Sequence, residues 1–352
     1  MNTVLTFLEA NRQRLALERY GVPQQLSCVV VTPRFRASSH VVFLILARGR
    51  PEPLLVAKVP RLAGASIGVE REVANLRAVQ ALRADGFDSI PRVVAFEEYH
   101  DRPILVETAL TGRAMDPLTV RRDLTGCCQA VIDWLAEVQR PARAARAIWF
   151  ERLVERPLRY FEAIFPLASE EMEALQRTWE LVAPLRDVDL PLVFEHGDLS
   201  HPNLMLLRDG GLGVVDWELA EPEGLPAYDL FFFLTYAAFA LRNARSSGDY
   251  LAAFHRAFFG RSAWARPYVA AYARQLHLAP GLLTPLFVLC WARYLTSLLL
   301  RLGDAARPQG RLEPATATWL RANRYYALWR HAVAHAGELE WQALPPTPHR
   351  SR

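Results

Sequence analysis

The sequence predicts an α+β protein in two lobes: a small lobe built on a mostly antiparallel five-stranded sheet with one inserted helix, and a large, mainly helical lobe. Two patterns lead to this reading. Short runs rich in β-branched and apolar residues crowd the first part of the chain, whereas from Leu118 onward the pattern is largely helical. Size agrees, since 352 residues suffice for two sizeable cores.

Along the chain, Val4, Leu5, Leu8 and Leu15 recur among charges at helical spacing, so Met1–Tyr20 reads as a surface helix without a signal-peptide pattern. Leu26–Thr32, Val41–Ala47 and Leu54–Val59 read as three strands. A predicted helix, Glu70–Arg83, carries Val73, Leu76, Val79 and Leu82 on roughly one face, and Arg92–Phe96 and Pro103–Glu107 complete the sheet. Thr111-Gly112 is a turn signal and marks the lobe boundary, giving a first lobe of residues 1–110, a second of 111–340 and a loose tail of 341–352. Within the second lobe, Asp123–Val138, Pro157–Phe165 and Ser169–Ala183 are predicted helices. Leu204–Leu207 and Leu212–Val215 flank Arg208-Asp209-Gly210-Gly211, a hairpin turn, and helices resume near Tyr228 and run to about Ala334.

Composition narrows the class. Hydrophobic residues at 51% and charged residues at 22% are those of an ordinary globular protein. The longest nearly apolar runs, Leu230–Leu241 and Leu282–Ala292, fall short of the ~20 residues a membrane span needs, so no membrane insertion is expected. Cys28, Cys127, Cys128 and Cys290 form no CxxC pair, which argues against a zinc site or a disulfide framework and fits a cytoplasmic location. Ten acids stand against two arginines from Arg186 to Leu230, and fifteen arginines against five acids from Phe231 onward. The basic stretch reads as solvated helix faces; without aromatic-basic interleaving, no nucleic-acid partner is expected. Among forty arginines stands a single lysine, Lys58, which suggests a position that needs a compact ammonium rather than a planar fork.

The motif that carries chemistry is His196-Gly197-Asp198-Leu199-Ser200-His201-Pro202-Asn203, followed by Val214-Val215-Asp216-Trp217-Glu218. Asp, five residues to Asn and thirteen more to Asp, with a hairpin between, matches the protein-kinase pattern of a catalytic loop followed by a metal-binding Asp. Phosphoryl transfer asks for one carboxylate to orient the acceptor hydroxyl and take its proton, and for oxygen ligands to Mg²⁺.

On these residues the chain resembles the aminoglycoside phosphotransferase and choline kinase-like family, over about Leu26 to Phe239. The resemblance implies a two-lobed protein-kinase-like fold and a kinase using ATP or GTP with Mg²⁺. It makes Asp198 the catalytic residue, Asn203 and Asp216 the Mg²⁺ ligands and His196 a brace of the loop. It also places Lys58, in Val56-Ala57-Lys58, on the α- and β-phosphates, paired with a glutamate on the next helix. Glu72 fits that glutamate better than Glu70, because Glu72-Val73-Ala74-Asn75-Leu76 follows the family pattern. Backbone groups near Glu107 and Ala109 correspond to the hinge that bonds the adenine edge. The loop Pro33–His40 departs from the pattern in having no glycine, so Ser38 and Ser39 are the residues that would donate hydroxyls to phosphate. Glu218 reads as a contact to a second Mg²⁺ through water, a contact to a cationic acceptor, or a solvated acid. Asp229 reads as a helix N-cap or a brace of the catalytic loop.

Asp216 and Asp229 are only thirteen residues apart, which leaves little room for a peptide platform and favours a small-molecule acceptor. The acidic stretch points to an amine-bearing one, such as an aminoglycoside, an amino sugar or a choline-like alcohol. A peptide or protein kinase and a nucleotide-binding pseudoenzyme are the alternatives; the pseudoenzyme would have lost Asp198, Asn203, Asp216 or Lys58, and all four are present.

Overall fold

A computed structural model describes residues 3–22, 25–32, 38, 40–62, 66–139, 146–303 and 312–341. Its elements, in chain order, begin with α1 (Thr3–Ala10), β1 (Leu26–Val31), β2 (His40–Ala47), β3 (Pro53–Pro60), α2 (Ile67–Gln80), β4 (Val93–Glu98), β5 (Pro103–Thr108) and β6 (Gly112–Ala114). There follow α3 (Pro117–Arg122), α4 (Leu124–Val138), α5 (Arg146–Phe150), α6 (Arg156–Ile164), α7 (Ser169–Val182), β7 (Val193–Glu195), β8 (Leu204–Leu207), β9 (Leu212–Val214) and β10 (Glu221–Gly224). The chain ends with α8 (Tyr228–Arg242), α9 (Ser247–Phe258), α10 (Arg266–Gln275), α11 (Leu283–Gly303), α12 (Pro314–Arg321) and α13 (Arg324–Ala334).

The chain packs as two units, one of Met1–Met115 with His196–Pro222, the other of Asp116–Glu195 with Glu223–Arg352. The motif segment thus groups with the sheet rather than with the helices that surround it in sequence. The cause is pairing: β6 runs antiparallel to β8, and β8 to β9, so the hairpin is stitched to the chain that leaves β5. Thr111-Gly112 is therefore the entry to a strand, and a Cβ at Gly112 would lie 2.4 Å from the Leu206 carbonyl, a clearance only glycine provides.

In the first unit the antiparallel sheet has the order β1-β2-β3-β5-β4. Alternation sorts its side chains between faces. Ile45, Leu55, Ala57, Val59, Ile104 and Val106 form one core with Val4, Phe7, Leu8 and Leu17 of the N-terminal segment. Leu105 packs on the other face against Val69 and Val73 of α2. The same alternation puts Lys58 and Glu107 on the α2 face. The helix ends before its predicted limit: Gln80 caps the following loop by accepting from Phe87 N and donating to the Phe87 and Ile90 carbonyls, and Leu82 is left exposed.

In the second unit α8 is buried nearly throughout, and α11 packs against α6, α7, α8 and α13. The α11 region Pro280–Leu302 is long and apolar enough to cross a membrane, yet 78% of its apolar 18-residue window is buried, the environment of a core helix. Arg293 and Arg324 turn inward rather than onto solvated faces, while Arg321 stays exposed and reaches a buried acid. Arg293 pairs with Glu195 at 2.8 Å, Arg321 with Glu171 at 2.7 Å, and Arg324 lies over the rings of Tyr236, Phe239, Tyr250 and Tyr325. Trp341, assigned to the tail by sequence, is buried on Phe231 and Phe287, so the unit extends one residue further; 342–352 lie outside the described residues.

Candidate active site

The loop between β7 and β8 is held by its own backbone. Ser200 N donates to Asp198 O at 2.7 Å, Asn203 N to Ser200 O at 2.9 Å, and Asn203 Nδ2 to Asp198 O at 2.9 Å. Gly197 takes φ +82°, and a Cβ there would lie 2.4 Å from Leu219 O, so this turn requires glycine. His196 is buried; its Nδ1 accepts from Asp198 N and its Nε2 faces Val215 O at 3.1 Å. Burial holds this imidazole down to about 4, so it stays neutral and serves as a strut between the loop and Val215, just past β9. Val215 N donates to Asn203 O at 3.0 Å, a second tie that brings the Asp216 segment beside Asn203. Asp216 itself has φ +71°, a left-handed backbone that non-glycine residues hold at a cost and that is concentrated at functional sites.

Across from this loop, Lys58 forms a hydrogen-bonded ion pair with Glu72 of α2. Glu107 Oε1 lies 3.5 Å and Asp216 Oδ1 3.8 Å from the same ammonium. Lys58 is 4% exposed and Glu72 0%. Burial alone would discharge Lys58, but Glu107, Glu72 and Asp216 outweigh it and hold its pKa above the ordinary lysine value. Burial raises Glu72 and Glu107, against the pull of Lys58. Glu72 also accepts from Trp217 N at 3.1 Å, and Asn75, one helical turn on, donates to the carbonyls of Trp217 at 2.8 Å and Ala220 at 3.1 Å.

The structure thus gathers Lys58, Glu72, Asn203 and Asp216 around one region of the first unit, with Asp198 on the same loop. Glu70 lies outside this cluster, and Glu72 is the residue that meets the lysine. Glu218 is buried, with its Oε2 3.5 Å from His40 Nδ1, which excludes the solvated-acid reading. Burial opposes charge on His40, yet the Glu218 hydrogen bond and the negative charge of Asp216 raise its pKa above the usual imidazole value. Ala109 N donates to Leu54 O at 3.2 Å, a bond that an adenine edge would have to displace. Ser38 is half-buried between β1 and β2, and Ser39 lies outside the described residues. Asp229 belongs to the second unit, inside the first turn of α8, where Ala227 rather than Asp229 is the N-cap. It accepts from Gln139 Nε2 at 2.9 Å, and that amide also donates to Phe194 O of β7, so Asp229 braces the strand that precedes the loop.

Three participants escaped the sequence reading: the Glu107 side chain, His40 and Asn75. Each had a signal. Glu107 is the acid in an otherwise apolar strand, His40 sits at a strand start two positions from the Lys58 partner Val42, and Asn75 is three residues after Glu72, hence on its helix face.

A divalent cation fits this donor set. Three carboxylates surround one ammonium, leaving an excess of negative charge, and Asp216 Oδ1 is buried with no hydrogen-bond partner. Asn203 turns its amide nitrogen to the loop, leaving Oδ1 as its acceptor. Carboxylate and amide oxygens are the hard ligands Mg²⁺ prefers.

Among curated proteins none matches this sequence. Solved structures share its fold. Choline kinase LicA from Streptococcus pneumoniae superposes with a TM-score of 0.52 at 12% identity, covering 93% of this chain and 99% of that one. A thermostable mutant of aminoglycoside phosphotransferase APH(4)-Ia, in ternary complex with AMP-PNP and hygromycin B, gives 0.52 at 15% identity over 91% of this chain and 98% of that one. Residues 32–272, well over half of the chain, match the phosphotransferase enzyme family. With the loop, the hairpin and the lysine–glutamate pair of a kinase-type site in one unit, the chain belongs to the phosphotransferase enzyme family.

Proposed function

We propose that this protein transfers the γ-phosphoryl group of ATP or GTP to the hydroxyl of a small, amine-bearing acceptor, an aminoglycoside, amino sugar or choline-like alcohol. The observation that carries the reading is that one carboxylate, Glu72, binds both Lys58 and the N–H of Trp217, the residue after Asp216. In this reading Lys58 holds the α- and β-phosphates. Asn203 and Asp216 would hold Mg²⁺, which would supply positive charge against the negative charge of the transferring phosphoryl group. Asp198, fixed by His196 and Asn203, orients the acceptor hydroxyl and takes its proton. The buried Glu218 offers a carboxylate to a cationic group of the acceptor. Support for the acceptor class comes from ten acids against two arginines between Arg186 and Leu230 and from neighbours that are a choline kinase and an aminoglycoside phosphotransferase holding AMP-PNP and hygromycin B. Four unbridged cysteines suit the cytoplasm.

A coupled assay of ATP and GTP consumption against aminoglycosides, amino sugars, amino alcohols and neutral sugars tests this. One amine-bearing class should raise consumption above the rate with water alone, and Asp198→Asn should lower that turnover by a factor on the order of 10² or more with the fold retained. No stimulated turnover, or an Asp198→Asn protein as fast as wild type, defeats the assignment.

A further inference from the structure

Far along the chain from the kinase motif, the helical unit collects three of the protein's nine histidines and a glutamate in one place. His331 lies on α13 and His335 four residues later at its C-cap, the spacing that puts two imidazoles on one helix face. Their rings are 4.2 Å apart. His255 approaches from α9, with its Nδ1 3.1 Å from His331 Nε2. Glu338, on the short turn after α13, lies 2.7 Å from His335 Nδ1. Ligand atoms of His255, His335 and Glu338 all fall within 4.8 Å of one another.

From this cluster we infer a binding site for a borderline divalent transition metal, of which Zn²⁺ is the representative, with His255, His335 and Glu338 as ligands and His331 orienting His255. Imidazole nitrogen and carboxylate oxygen are the ligands zinc takes at ~2.0–2.2 Å, which sets neighbouring ligand atoms roughly 3.3 Å apart. The His335–Glu338 pair at 2.7 Å is tighter than that and the whole set lies within 4.8 Å, so side-chain rotations that part this pair would bring the ligands to the required spacing. Support for the imidazoles is already built. Phe259 stacks on His255 at 5.2 Å and meets the His331 ring at 5.1 Å and the His335 ring at 6.1 Å, and Phe254 flanks His331. Glu338 is fixed in register by Gly260 N donating to its carbonyl at 3.1 Å, while its side chain faces solvent and leaves an entry path. His331 bonded to His255 is the outer partner that ligating histidines use to fix their ring and tautomer. A bound ion would clip the end of α13 to α9.

The test uses the untagged full chain, stripped with chelator and dialysed against Zn²⁺ in excess Mg²⁺, which as a hard cation competes poorly for imidazole. Wild type should take up one equivalent, Co²⁺ in its place should show the ligand-field absorption of a low-coordinate nitrogen–oxygen site, and zinc should raise the melting temperature. His255→Ala and His335→Ala should each weaken binding at least ~100-fold, whereas Asp216→Ala should bind as wild type does, which separates this site from the kinase centre. Should either histidine variant fail to fold, the exposed Glu338→Gln substitution carries the test with a loss of about 10-fold. Zinc binding that is equal in all variants, or absent from wild type at stoichiometric concentration, overturns the inference.

Discussion

Replacing Lys58 by methionine should do more than remove a phosphate contact; it should loosen the sheet unit before any nucleotide binds. Lys58 is 4% exposed, and its ammonium is hydrogen-bonded to Glu72 and lies 3.5 Å from Glu107 and 3.8 Å from Asp216. Methionine fills similar volume but leaves buried carboxylates without a counter-charge, a change that costs about 3–5 kcal/mol. Amide hydrogen exchange on peptides covering β3, α2 and β5 reads this locally, and protection should fall roughly 10² to 10⁴-fold. The pH dependence has a definite sign. Burial already raises Glu72 and Glu107 in the presence of Lys58, and in the variant only the weaker pull of His40 opposes it. Their folded pKa values then lie further above the unfolded value of about 4.3, so the folded variant binds protons the unfolded chain does not. Its deficit is full at pH 8 and shrinks as pH falls toward 6. Adding Glu72→Gln should recover part of the loss, a coupling of about 1–3 kcal/mol, with Glu107 and Asp216 preventing full recovery. Lys58→Arg keeps the charge and should cost only about 1–3 kcal/mol, from overpacking. Protection in Lys58→Met within 10-fold of wild type at pH 8 would refute the reasoning, because the lysine would then not be balancing buried charge.

Gly197→Ala should lower stability by at least ~2 kcal/mol and turnover by about 10² through displacement of Asp198, whereas Gly210→Ala, also at positive φ but with nothing within 4 Å, should cost only about 1 kcal/mol and leave turnover intact; thermal unfolding and steady-state rates compare the pair. In the helical unit, burial would raise Glu171, but hydrogen bonds from Arg321 and Tyr326 hold it down to about 2. That depressed pKa contributes stability present above the unfolded value of about 4.3 and lost as pH falls toward 2, so Glu171→Gln should flatten the acid limb of the melting-temperature profile. An unchanged acid limb would remove the pair from that role.

Runs of β-branched and apolar residues placed the five strands of the sheet within a few residues, and α2, α4, α6 and α7 were likewise legible, whereas the N-terminal helix ends at Ala10 rather than near Tyr20 and the helices after Tyr228 were not separated from one another. Gly112–Ala114 was hidden: three residues carry no period, and this strand exists only because β8 lies beside it. For the same reason the grouping of the hairpin with the sheet unit was not legible, since it depends on long-range pairing rather than on local sequence. The site divides likewise. Lys58, Asp198, Asn203 and Asp216 announced themselves by spacing and by the lysine's solitude. His40 and the Glu107 side chain entered through strand register, which places them on the Lys58 face, and register is fixed by neighbours that the sequence does not name.

Helix α2 is where these two kinds of information meet. Glu72 and Asn75, three residues apart, share one face and reach the same loop: Glu72 takes the Trp217 N–H, and Asn75 gives its amide to the Trp217 and Ala220 carbonyls. The same Glu72 oxygen holds Lys58. A shift of α2 therefore cannot move the lysine pair without also pulling on the residue that follows Asp216. In the proposed reaction the lysine serves the phosphates and Asp216 the cation. Linkage then requires that whatever orders one of these through Glu72 favours the other by the same free energy. Asn75 makes that link stiff, because its two bonds fix the carbonyl side of the loop while Glu72 fixes the N–H side, and Asp216, in its left-handed conformation, is left with little freedom but to point where α2 sets it.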